Sequence, residues 1–214
     1  MKHTVELEKV KPMDIEARSF EIITKELEDN NISLKKGTED IIKRCIHTSA
    51  DFDYAKNLKF SDNAVSAALH AIQNGACIVT DTNMAKAGIN KKILEKFKGE
   101  VFCFMADEDV AKKAKEEGTT RAAASMQKAA SLNRPIIFAI GNAPTALVTL
   151  YEMMEQKMIT PELIIGVPVG FVNVVQAKEL IMQSQVEYIV AEGRKGGSTI
   201  AACICNALLY RLAR

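Results

Sequence analysis

Residues 43–55, KRCIHTSADFDYA, contain one of only three histidines in a chain of 214 residues. His47 follows Arg44 by three positions and precedes Asp51 by four. On a helix those spacings put all three side chains on one face. Imidazole is the side chain whose ordinary titration spans neutral pH, so His47 could both give and take a proton there. Asp51 could orient the ring. Arg44 could hold a substrate carboxylate through a two-point hydrogen bond. The competing reading is a boundary histidine held by Asp51 that does no chemistry. Spacing alone leaves both open. His3 lies near the chain start in a segment expected to fray, and His70 sits within a helical stretch without a partner motif.

A second candidate is EGRKGGST, residues 192–199. Arg194 and Lys195 bring positive charge, and Gly196 and Gly197 let a ligand approach the backbone. Ser198 or Thr199 could cap the following helix. The stretch matches neither the P-loop pattern nor G-x-G-x-x-G, so a nucleotide cofactor lacks its usual support. It could equally be a tight strand-to-helix turn with a basic tip.

The elements that must position these groups follow from the apolar pattern. The first third reads as three helices. These are MDIEARSFEIITKELED, with Asp14 as cap and Ile15, Ser19, Ile22, Ile23 and Leu27 near one face; TEDIIKRCIHTSA, with Thr38 as cap; and SDNAVSAALHAIQNGA, with Ser61 or Asp62 as cap and Gly75 past its end. Then five short apolar runs alternate with helical stretches: CIVTD, EVFCFM, PIIFAIG, LIIGVP and EYIVAEG. That alternation predicts βαβ units. The expected fold is α/β: a parallel five-stranded sheet with helices on both faces, preceded by N-terminal helices, in one domain over residues 1–214. Ligands of such a sheet bind at the carboxyl ends of the strands. The loops to inspect are therefore DTNMAKAG, MADED, GNAPTA (with Asn142), GVPVGFVN and EGRKGGSTI, several of which open helices with free N–H groups. The apolar last helix, from Ile200 to Leu212, could serve a core or a subunit interface.

Bulk composition limits the partners. Hydrophobic residues make up 48%, charged residues 26%, and the formal net charge is +1. A globular fold is expected, with no protein-wide attraction to nucleic acid or to a membrane surface. No apolar run approaches the ~20 residues of a membrane span, and the charged start is not a signal peptide, so a cytoplasmic location is expected. Five cysteines, with no Cys-x-x-Cys, and three histidines give no clustered ligand set, so no protein-held metal is expected. Most of the thiols read as small buried hydrophobes.

RCIHTSAD, IGNAPTALVTLYEM, IGVPVGFVNVVQAKE and EGRKGGSTIAA, in this order and spacing, resemble the precorrin-8X methylmutase family, including its cobalt-precorrin-8 members. The resemblance runs from ARSF to the last helix. It implies a methyl shift from C-11 to C-12 of a ring-contracted tetrapyrrole, giving hydrogenobyrinate or its cobalt-containing counterpart, with no cofactor and with any cobalt carried by the substrate. The family's catalytic histidine falls on His47, its substrate contacts on Ser19 and Arg44, and Arg121 in TTRAAASM is a further carboxylate contact. Asn142, Arg194 and Gly197 are the substrate-binding candidates of the strand-end loops. The family's acid ahead of RSF is replaced here by Ala17. The family's members are homodimers with sites near the subunit boundary, and a homodimer is expected. Two readings compete: a non-catalytic carrier of corrinoid intermediates, and an enzyme of phosphorylated small molecules using GRKGGS.

Overall fold

The computed structural model describes residues 7–213; His3 lies outside them. In chain order the elements are α1 (Ile15–Asp29), α2 (Glu39–Ser49), α3 (Tyr54–Asn57), β1 (Leu58–Phe60), α4 (Ala64–Gln73), β2 (Cys77–Thr80), α5 (Asn83–Gly88), α6 (Lys91–Glu95), β3 (Val101–Phe102), α7 (Glu108–Glu116), α8 (Arg121–Ala129), β4 (Ile136–Ile140), α9 (Pro144–Glu155), β5 (Leu163–Gly166), α10 (Val174–Gln183), β6 (Tyr188–Ala191) and α11 (Ser198–Ala213).

The sheet has six strands in the order β1-β6-β5-β4-β2-β3. The five expected strands are present and mutually parallel. The expectation of a five-stranded parallel sheet is corrected by β1, which pairs antiparallel to β6 and makes the sheet mixed. Three residues, LKF, leave too little alternation to read as a strand. Their pairing comes from the neighbour: Leu58, Lys59 and Phe60 lie opposite Ala191, Val190 and Ile189.

Two apolar cores sit on the two faces, and strand alternation assigns residues to each. Ile137 and Ala139 of β4 pack with residues of α1, α2, α4 and α11, while Ile136, Phe138 and Ile140 pack with residues of α8, α9 and α10. Helix α11 is apolar over most of its surface, as a helix packed against several elements must be. Ile200, Ala201, Ile204, Cys205, Leu208 and Leu209 are all buried. It packs against α2, α4 and α5 and across β4 and β5, so it serves the core.

Smaller expectations change. Asn63, not Ser61 or Asp62, occupies the cap position of α4. The Glu187 carboxylate accepts there from Ser61 Oγ and from the Asn63 N–H. Gly75 takes the positive φ (+79°) expected past the helix end. On α1 only Ile23 and Leu27 are buried; Ile15 and Ile22 are exposed. His70 falls in the last turn of α4, 3.1 Å from Asn74 Nδ2.

Two glycines of the strand-end loops are demanded by close approach. A Cβ on Gly141 would lie 2.6 Å from Ser198 Cα, and one on Gly196 (φ +152°) would lie 2.1 Å from the Val167 carbonyl oxygen. Gly118 has φ +63° but open space around it. Gly118→Ala should therefore cost only backbone strain, about 1 kcal/mol. Gly196→Ala adds a backbone collision and should cost about 2 kcal/mol or more, lowering Tm by roughly 4–8 °C. Thermal unfolding of both variants checks the order; equal losses would contradict it.

Candidate functional site

Five parallel strands end on one edge, and their order reverses between β2 and β4, the topological switch point where ligands of such sheets bind. Asp81, the residue after β2, is fully buried at this point. Its carboxylate accepts the backbone N–H groups of Gly141 (2.8 Å), Asn142 (2.8 Å) and Ala143 (2.6 Å). Burial pushes the carboxyl above its ordinary range, against those three N–H groups, which favour the anion. The expectation that the GNAPTA loop offers free N–H groups to an anion is thereby corrected: Asp81 already occupies them.

The loop after β6 docks onto the same place. Gly197 donates its N–H to Val167 (2.8 Å), Gly170 donates to Arg194 (3.2 Å), and Thr82 Oγ1 donates to Ser198 Oγ (2.8 Å). Lys178 of α10, fully buried, donates to the carbonyls of Gly193 (2.8 Å) and Lys195 (2.9 Å). Among the described residues no carboxylate pairs with it, and burial lowers its ammonium to about 8. Lys195 itself reaches outward to Asp51 (2.6 Å) and Asp53 (2.5 Å). That hydrogen-bonded pairing raises the Lys195 ammonium and lowers the Asp51 carboxyl.

Asp51 is therefore not a partner of His47. Helix α2 ends at Ser49, and Ala50 takes a left-handed conformation (φ 54°), so Asp51 leaves the helical face the spacing assigned to it. His47 lies in the last turn of α2 and is exposed, with the Phe20 ring 5.4 Å away. It lines a cavity of about 380 Å³ between α2 and α11, open on one side. Arg44 and Thr48 accompany it from α2; Thr199, Ala202, Cys203, Asn206 and Tyr210 come from α11, and Met84 and Gly88 from α5. The Arg44 guanidinium is held in place. It pairs with Glu16 (3.0 Å) and lies over the rings of Tyr210 (4.9 Å) and Phe20 (5.4 Å).

The structure thus brings Arg44 and His47 together, and the segment holding Gly197 leads directly into Thr199 of the cavity wall. Ser19 is half-buried on α1 and donates to Ile15 O (2.9 Å), outside the cavity lining. Arg121 is exposed at the start of α8; its neighbour Thr120 shares a hydroxyl hydrogen bond with Thr145 (3.0 Å), which sets it beside the Asn142 loop and not at the cavity. Exposed Arg194 stacks on Phe171 (5.4 Å), itself 79% exposed beside Val172. The sequence reading missed Asp81, Lys178, Cys203, Asn206 and Tyr210. Asp81 alone had a signal, an acid at the end of an apolar strand; the others sit on helix faces whose partners are remote in sequence. MADED stands apart, with Asp107 and Asp109 tied to Lys128.

A family model for precorrin-8X methylmutase matches residues 14–211. The chain is 41% identical to the cobalt-precorrin-8 methylmutase of Priestia megaterium, over 93% of this chain and 88% of that one. It is 42% identical to the cobalt-precorrin-8 methylmutase of Salmonella typhimurium, over 94% and 96%. Among solved structures, the precorrin-8X methylmutase of Thermus thermophilus superposes with a TM-score of 0.83 at 38% identity, covering 94% of this chain and 98% of that one.

Lys178 gives a pH test of the loop anchor. Its folded value, about 8, lies below the ordinary 10.5. Between these the unfolded chain binds a proton the folded chain lacks, so stability rises with pH. A neutral amine keeps two N–H groups, enough for both carbonyls. Relative to Lys178→Met, the parent chain should gain about 1 kcal/mol between pH 8 and pH 9, measured by urea unfolding. A difference that stays flat would mean that Lys178 keeps its proton in the folded chain as readily as in the unfolded one, and would contradict the lowering by burial.

Proposed function

This chain belongs to the precorrin-8X methylmutase family, and from that membership we propose that it moves a methyl group from C-11 to C-12 of precorrin-8X or of cobalt-precorrin-8. His47 serves as proton donor and acceptor. As a methylmutase the chain is an isomerase, which displaces the carrier and phosphate-ester readings. The observation that supports the histidine's role is its exposure on the wall of an open cavity, beside an arginine fixed by two rings and a carboxylate.

Substrate and product are isomers. No atom or electron has to be supplied, so the rearrangement needs an acid, a rigid seat and no cofactor; cobalt, where present, arrives inside the substrate. His47 donates a proton to the conjugated ring system near the migrating carbon. Positive charge spread into the macrocycle weakens the bond to the methyl group. After migration the imidazole takes the proton back. A positioned acid of this kind is worth ~10²–10⁴-fold, and the remainder comes from orientation and from groups aimed at the developing charge.

The substrate carries acetate and propionate arms, which need donors. Arg44 meets one by exchanging Glu16, an exposed partner, for a substrate carboxylate. Ser19 would have to turn its hydroxyl from Ile15 to donate. About 380 Å³ is at the small end of ligand pockets, which run ~300–1,000 Å³. The macrocycle therefore projects beyond the cavity, onto the surface formed by residues 194–199 and the apolar loop of Val169, Phe171 and Val172. Arg194, Gly197, Asn142 and Arg121 are proposed contacts for the outer arms. A homodimer is proposed as the working form, its second copy covering that apolar loop.

Anaerobic turnover of the coloured substrate, followed by absorption, tests the roles separately. His47→Ala should lower kcat by about 10²–10⁴-fold while still binding the chromophore. Arg44→Ala should weaken binding by about 10–100-fold, the worth of a hydrogen bond to a charged group. Normal turnover by His47→Ala would remove the imidazole from the mechanism.

A further inference from the structure

One reactive group on the cavity wall has no part in methyl migration. Cys203 is the only cysteine among the described residues that is not buried, and it lines the His47 cavity from α11. Helix α2 aims one turn of side chains at its sulfur. Thr48 Oγ1 donates to Cys203 Sγ at 3.2 Å. The buried Cys45, three positions before Thr48 on the same helix, belongs to the apolar core against which Cys203 packs. Arg44 adds a guanidinium charge nearby. Positions 44, 45 and 48 lie within about one helical turn, so a hydroxyl, a thiol and a positive charge are grouped on the part of α2 that faces Cys203.

That arrangement favours a thiolate at Cys203. The Cys45 contact, then Thr48 and Arg44, bring its thiol down to about 7, against burial. The proton stays on Cys45, whose thiol is held well up by the same contact and by burial. Burial likewise holds Cys77 up and Cys205 at about 12. An accessible, stabilised thiolate beside a second thiol is the arrangement of cysteines that oxidants select.

We propose that Cys203 is a site of oxidative modification by hydroperoxides, with Cys45 as the thiol that resolves it into a disulfide joining α2 to α11 beside the cavity. The Cys203 thiolate attacks the terminal oxygen of the hydroperoxide. An S–O bond forms, the O–O bond breaks, and the leaving oxygen departs as hydroxide or alkoxide and takes a proton. Sulfur loses two electrons and the peroxide gains them. The negative charge that held the proton on Cys45 is then gone. Cys45 gives up its proton and attacks the Cys203 sulfur; an S–S bond forms, the S–O bond breaks and water leaves. The product fixes one cavity wall to the other and removes the sulfur from its surface.

Mass spectrometry of the full chain tests this without the tetrapyrrole. At pH 7, iodoacetamide should label Cys203 roughly 10-fold or more faster than any other cysteine, in proportion to its thiolate fraction. Hydrogen peroxide should yield a Cys45–Cys203 linked peptide that dithiothreitol dissolves, with fragment ions separating Cys203 from Cys205. Thr48→Val, which keeps both sulfurs, should move the labelling midpoint to higher pH. Labelling of Cys203 no faster than Cys103, or an unmoved midpoint in Thr48→Val, would overturn the thiolate. Oxidation of Cys203 to sulfinic acid without a link to Cys45 would overturn the resolving role.

Discussion

The arrangement depends on one constraint: α11 must start against the ends of β2 and β4 and then run, covered over most of its surface, between the sheet and α2. Gly141 permits the start, since any larger residue would collide with Ser198. Alanines at 201, 202 and 207 hold the helix close to its neighbours. Because α11 is fixed at the switch point and packed along α2, the residues of the two helices that face each other become the walls of a cavity. Arg44, His47 and Thr48 then confront Thr199, Cys203 and Tyr210 without any loop having to fold over them.

The loops at the strand ends are held by buried polar groups. Asp81 gathers three consecutive N–H groups of the β4–α9 turn, and Lys178 gathers two carbonyls of the β6–α11 turn. Each is a charged side chain in a place where an unsatisfied charge would be expensive, so each specifies one geometry for the backbone around it. A rearrangement with no net gain or loss of atoms asks for such a seat. The outer charges are softer: Lys195 with Asp51 and Asp53 is solvent-exposed and contributes position more than stability.

Much of this was legible in the sequence wherever local pattern decides. The five parallel strands announced themselves as apolar runs buried on both faces, and His47 and Arg44 shared a helical face as their spacing required. What the sequence concealed was set by remote partners. Asp51 looked like a partner of His47 because a helix was extended through Ala50; the left-handed turn there hands Asp51 to Lys195, 144 residues on. Strand β1 exists through its pairing with β6, not through its own three residues. Nothing in the sequence singled out Lys178, and only the fold shows two carbonyls waiting for it. Cys203 read as a small apolar residue, and only the facing turn of α2 makes its sulfur distinctive.

The central claim is that the tetrapyrrole sits against the α2–α11 cavity with its reacting edge at His47. A crystal structure with bound hydrogenobyrinate, the methyl-shifted product, is the most direct measurement. The account predicts the C-11/C-12 edge within hydrogen-bond reach of an imidazole nitrogen of His47, and a ring carboxylate on Arg44. A macrocycle seated elsewhere, with the His47 ring out of its reach, would contradict it.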